Sequence, residues 1–195
     1  MTATRAAAAS TAGMTLLERA INYTLGSLHL VSADAFGRPT PCRDWDLRTL
    51  LEHLDDSLLA MIEAVDTGRV ALGCADEPDA DLIATLRGRA RHLLCASTVA
   101  RRHDLVAIAD RQLTSGIVTG TGAIEIAVHG WDVARACGGH HPIPPALAGE
   151  LLDLAPLLVT CAERAGRFDR PVAVPPGAGP GDRLLAFLGR DPGLT

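Results

Sequence analysis

Apolar residues recur at three- and four-residue steps through most of the chain, and those steps define a succession of amphipathic helices. Leu16, Leu17, Ala20, Ile21, Thr24, Leu28 and Val31 share one face, which predicts a first helix from about Thr15 to Ala33. Thr15 is its cap and Glu18 the capping-box partner. Pro39 and Pro41 then enforce an extended entry. Asp46 caps a second helix over Leu47–Val65, with Leu50, Leu51, Leu54, Leu58, Met61, Ile62 and Val65 as its stripe. Trp45 stands at the position before the cap, where it staples onto the first turn. Residues 67–79 read as a loop. A third helix spans Asp79–Thr98, with Leu82, Leu86, Ala90 and Leu93 inward and Arg87, Arg89, Arg91 and His92 outward. Leu105–Ala109 is short and apolar, an extended segment or a helix end. The fourth helix covers Thr114–Cys137 and stops at Gly138. Pro144 and Pro145 open a fifth, which runs to about Ala165 and holds Pro156 inside. A Pro/Gly-rich stretch over 167–181 leads to a short last helix, Asp182–Leu188.

The fourth helix breaks its own pattern. Its run AIEIAVHGWDVARACG is apolar except for Glu125, His129, Asp132 and Arg135. The first three are spaced i, i+4 and i+7, so they stack on one face a turn apart. Such a face serves either an ordinary Glu–His hydrogen bond or a metal ion. Asp132 is either a hydrogen-bond acceptor behind an imidazole or an i,i+3 partner of Arg135. On the second helix His53 lies beside the apolar stripe, as a core-edge histidine or as a third ligand. Two imidazoles and a carboxylate with an open fourth position form a known zinc pattern that nickel and iron(II) also accept.

Composition narrows the picture without changing it. Of 195 residues, 48% are hydrophobic and only 3% aromatic, which favours a helical core of Leu, Ala, Val and Ile over a β-sandwich. A net charge of −5 with no long basic cluster argues against nucleic-acid binding. Five widely spaced cysteines with no C-x-x-C suit a reducing cytoplasm. The opening MTATRAAAASTAG lacks an apolar h-region, so residues 1–13 are expected as a disordered tail before a single domain over 14–192. No stretch is apolar and long enough to suggest a membrane span.

Three blocks, TPCRDWDLRTLLEHL, EIAVHGWDVARACG and DRLLAFLGRDP, together resemble the actinobacterial metal-binding branch of the DinB-like superfamily. That branch is related to the N-terminal domain of mycothiol-dependent maleylpyruvate isomerase. The resemblance implies an all-α fold: a DinB-like four-helix bundle with short additional helices and a Pro/Gly-rich C-terminal segment. It implies one divalent ion held by His53, Glu125 and His129, with zinc first and nickel or iron as alternatives. It also implies a thiol co-substrate of the mycothiol type, bound as the thiolate and used for S-transfer or isomerisation. In that setting Asp132 orients a ligand and Arg135 meets a substrate carboxylate. A metal-dependent hydrolase and a non-catalytic bundle that sequesters a small molecule remain as alternatives. A homodimer is plausible, as DinB-like proteins often pair.

Overall fold

The computed structural model describes residues 2–71, 81–99, 103–160, 164 and 168–193. Six α-helices dominate them: α1 (Thr2–Ser27), α2 (Leu47–Thr67), α3 (Leu82–Val99), α4 (Ser115–Ala136), α5 (Pro145–Leu158) and α6 (Pro180–Phe187). The all-α expectation holds, with one addition. A small sheet joins β1 (Arg69–Val70), β2 (Leu105–Ile108) and β3 (Arg111–Thr114) in the order β1-β2-β3. The β1–β2 pair is parallel and the β2–β3 pair is an antiparallel hairpin. The hairpin turns at Ala109, whose φ is 51°. The sheet sits where α2 ends and α4 begins, so β3 leads directly into α4.

Helices α1 to α4 form the bundle. α1 lies along α4, and α2 packs on both α3 and α4. The predicted stripes meet in one core: Leu17 and Ile21 of α1, Leu50, Leu54 and Leu58 of α2, Leu86 and Leu93 of α3, and Ile126 of α4 are all buried. α5 and α6 pack on each other, and α5 also touches α4. Among the described residues no helix is long and apolar enough to cross a membrane.

Several boundaries differ from the periodic reading. α1 begins at Thr2, so residues 2–13, expected as a disordered tail, are helical. Alanine has the highest intrinsic helix propensity, and an Ala-rich run needs no apolar stripe to follow it. Buried Gly13 already lies against α4, where an added Cβ would stand 3.3 Å from the Gly116 carbonyl oxygen. α1 also ends early, at Ser27, and passes into two short 3₁₀ turns. α5 stops at Leu158, two residues after Pro156, where the ring removes a backbone donor. The expected continuation toward Ala165 falls largely outside the described residues, as does most of the loop expected over 67–79, whose start instead ends α2 at Thr67 and forms β1. Arg89, expected outward, pairs with Asp55 at 3.0 Å and is largely buried.

The caps form as their sequences demand. The Asp46 side chain accepts hydrogen bonds from the backbone N–H and the hydroxyl of Thr49. Two helices end in the Schellman arrangement. At the end of α4, Gly138 adopts φ 74°, its N–H bonds Arg135 O, and Gly139 N–H bonds Ala134 O. At the end of α6, Gly189 adopts φ 85°, its N–H bonds Ala186 O, and Arg190 N–H bonds Leu185 O. A glycine takes the left-handed conformation in both cases because it has no Cβ to clash.

Candidate metal centre

Helix α4 is buried almost all round, from Val118 to Ala136, with Thr121, Glu125 and Arg135 as its breaks in cover. α1 can lie this close because position 130 is glycine. A Cβ there would meet the Thr24 hydroxyl and stand 3.1 Å from Thr24 Cα. The Thr24 hydroxyl instead donates to Ile126 O at 2.7 Å, which locks the two helices in register.

On the remaining side of α4, Glu125 and His129 face His53 of α2. Glu125 Oε1 lies 2.6 Å from His53 Nε2 and 3.0 Å from His129 Nε2. The two imidazoles meet edge to face, with centroids 5.0 Å apart. One donor atom from each of the three residues lies within 4.8 Å of the others. Exposure falls along the set: the side chains of His53, Glu125 and His129 are 37, 28 and 7% exposed. The donor set is therefore open to solvent at His53 and closed at His129.

Behind His129 stands a second layer. Its Nδ1 lies 3.0 Å from Oδ2 of Asp132, whose side chain is fully buried. The same Oδ2 lies 3.1 Å from Arg190 Nη2 and accepts from Cys42 Sγ at 3.2 Å. Arg190 Nη2 also lies 3.1 Å from Cys42 Sγ, and its Nη1 donates to Leu188 O. The Schellman turn at Gly189 aims Arg190 back into the bundle. The loop before α2 delivers Cys42 and Trp45, and Thr40 pins it: its hydroxyl bonds the carbonyls of Cys42 and Trp45, while Cys42 N–H bonds that hydroxyl. Asp44 absorbs the tight bend with φ 66°, a conformation that Asp tolerates better than most residues. The Trp45 ring then lies over both imidazoles, 4.8 Å from His53 and 6.2 Å from His129.

The electrostatics follow from the pairing. Burial disfavours the Glu125 anion, but charge and hydrogen bonds from His129 and His53 outweigh it and hold its carboxyl far below the usual range. Burial likewise disfavours the His129 cation, and Glu125 and Asp132 override it and raise the imidazole well above its ordinary value. Asp132 is opposed by burial and lowered by His129 and Arg190. Arg190 loses hydration on burial and is raised by Asp132 and Cys42.

Two imidazoles and one carboxylate suit a divalent ion. The partners of His129 suit it further: an imidazole that donates Nδ1–H to a carboxylate presents Nε2 as a lone pair. The residues present thus fit a metal centre. The set lies in a cleft of about 1180 Å³. One face of α4 forms the cleft floor through Ile117, Thr121, Ile124, Glu125, Val128 and His129, and Leu113, Leu157, Leu158 and Phe168 add apolar wall.

Of the residues expected from sequence, His53, Glu125 and His129 come together, with Asp132 directly behind them. Arg135 does not join them. It is absent from the cleft lining, and its guanidinium lies over the Trp131 ring, 5.7 Å from the centroid. At about 100° per residue Arg135 falls about 80° around α4 from Glu125, off the face that Glu125, His129 and Asp132 share. Arg190 and Cys42 occupy the place that sequence reading left empty. Their signal was present only as letters of the PCRDW and LGRDP blocks, since neither belongs to the periodic face of α4.

Fold and site together define a DinB-like helical bundle with a metal-type donor set between its second and fourth helices. The chain belongs to the family described as the mycothiol maleylpyruvate isomerase N-terminal domain, whose model matches residues 17–134. An uncharacterised protein of Mycobacterium tuberculosis, found in two strains, is 32% identical over 185 residues, covering 89% of this chain and 94% of that protein. The crystal structure of a mycothiol-dependent maleylpyruvate isomerase carrying a histidine-to-alanine substitution has the same fold. Its TM-score is 0.53 at 17% identity, covering 73% of this chain and 67% of that one.

Proposed function

We propose that this chain is a divalent-metal-dependent enzyme acting on small molecules, with a low-molecular-weight thiol of the mycothiol type as co-substrate and S-transfer or isomerisation as the outcome. The observation that carries the reading is the convergence of His53, Glu125 and His129, one donor atom each within 4.8 Å of the others, in an open cleft. The family description and the solved neighbour both name mycothiol, and that is what brings the thiol into the reading. Zinc is the first choice of ion, with nickel and iron(II) as alternatives. A bound ion would lower the pKa of a thiol presented at the free coordination position and hold it as the nucleophilic thiolate.

The chain's own residues then divide the work. Asp132 keeps Nδ1–H of His129 engaged and so fixes the direction of Nε2. Arg190 balances the buried charge of Asp132. Trp45 shields the imidazoles on one side, and the exposed edge at His53 is where the thiol enters. The apolar wall holds the electrophile against the thiol. Arg135, outside the cleft, has no part in this scheme. The reading takes the cytoplasm as the compartment, in keeping with the free thiols Cys42 and Cys137, and a homodimer as the assembly, which light scattering checks.

Elemental analysis of purified, zinc-reloaded protein is expected to find one ion per chain, and His129→Ala to find none. Loaded protein incubated with mycothiol and a panel of electrophiles is expected to release product that the His129→Ala variant does not make. Protein that takes up no stoichiometric ion sinks the reading. Protein that binds ion and thiol but turns over nothing is a sequestering module.

A further inference from the structure

Four charged side chains besides Glu125 reach the cleft lining together with Arg111: Arg43, Asp44, Asp169 and Arg190. Arg43 pairs with Asp169 at 3.4 Å. Arg190 is committed to Asp132 and Cys42. Arg111 is the one cation of the lining, among the described residues, without an acidic partner. Its direction is fixed by the strand. Arg111 and Leu113 are two apart on β3 and share a face, and both line the cleft while Gln112 between them does not.

The floor between Arg111 and the donor set is long and, apart from Thr121, apolar. From Ile117 to Glu125 the α4 face rises by about 12 Å, with Ile117, Ile124 and Val128 as floor and Leu157, Leu158 and Phe168 as wall. Ile117 and Leu157 remain 42 and 74% exposed. An unpaired guanidinium at one end of an open apolar trough attracts an incoming anion. The carboxylate of Glu125 at the other end repels the same anion.

From this we infer that the cleft takes an elongated amphiphilic anion, a medium-chain carboxylate in class, with its head on Arg111, its apolar body along α4 and its far end toward His53. Arg111 is the specificity-determining residue of the second reactant, in the place that Arg135 does not fill. The inference deepens the metal-enzyme reading, on which it rests only for what happens at the far end.

Binding of decanoate, decanamide and decanol to the full chain is measured by calorimetry, in chelated and in zinc-loaded protein. In chelated protein decanoate is expected to bind about tenfold more tightly than decanamide, the size of one charge-assisted hydrogen bond. Arg111→Gln removes that preference and leaves decanamide affinity unchanged, and Arg111→Lys restores most of it. Ile117→Asn, at an exposed floor position, weakens all three probes together. A preference for decanoate that survives Arg111→Gln overturns the inference. So does the absence of binding by any probe, or a preference that arises only with zinc present and ignores Arg111, since the head then sits on the ion. Failure of the metal reading shows separately, as protein that never takes up zinc while the Arg111-dependent preference persists in the chelated form.

Discussion

Asp132 has no exposure to solvent, yet it serves a histidine, a thiol and a guanidinium through one oxygen. Its other oxygen, Oδ1, is buried without a partner. A carboxylate in that position is held ionised by its neighbours, so its contribution to stability has a definite sign. Its folded-state pKa is lowered, so the stabilisation is complete above the ordinary carboxylate range and disappears as pH falls through the lowered value. Glu125 is lowered as well and acts in the same direction. Urea midpoints of the metal-free protein are expected to drop steeply on acidification below about pH 4, and the Asp132→Asn variant to show a flatter profile. That variant also leaves Arg190 buried without its counter-charge, at a cost of about 3–5 kcal/mol. The milder change Arg190→Lys keeps the charge but loses the planar guanidinium, whose Nη2 meets both Asp132 and Cys42 while its Nη1 donates to Leu188 O. Its zinc affinity, read by competition with a chromophoric chelator, is expected to fall about 10- to 100-fold with little change in fold, as for loss of an outer-shell support.

At the scale of elements, glycines decide how closely the helices approach and where they stop. Gly130→Ala pushes a methyl group into Thr24, an overpacking worth about 1–3 kcal/mol, and a thermal melt checks it. Gly189→Ala is worse in kind: it strains a φ of 85° and sets a Cβ 2.8 Å from Asp169 O. It is expected to lower both the melting temperature and zinc affinity, because the same turn delivers Arg190. Periodicity and the Asp46 cap made α2 legible almost to the residue, and α4 was legible as one continuous apolar run ended by a glycine cap at Gly138. The strands were not: β1 has two residues and β2 buries only Val106, too few positions for an alternation to register. The Ala-rich start of α1 has no stripe at all. The ligand face was readable where residues shared one helix, as Glu125, His129 and Asp132 do. Its joining to His53 came from the resemblance, and Arg190 and Arg111 depended on a turn and a strand that no spacing announces.

For the whole molecule, the metal reading makes folding and ligation one equilibrium. An ion that binds only the folded chain adds about 4 kcal/mol when present at 1,000 times its dissociation constant. Chelation is therefore expected to lower the melting temperature of the wild-type protein and leave that of His129→Ala unmoved, by differential scanning calorimetry. α4 contributes more than any other element to both the core and the cleft, with Ile126, Ala127 and Val133 at 0% exposure interleaved among the functional side chains. A helix with that double duty leaves evolution little room to edit it, since nearly every substitution there is a folding mutation first. Novelty is pushed outward, to the exposed positions of the hairpin, the loop before α2 and the C-terminal segment, which touch the cleft without joining the buried network of Cys42, Asp132 and Arg190. Those three rims form an interchangeable mouthpiece on a fixed chassis. A saturation library scored for solubility is expected to tolerate change at Arg43 and Arg111 and to reject it along α4, so that grafting rims between relatives becomes the practical route to new substrate preferences.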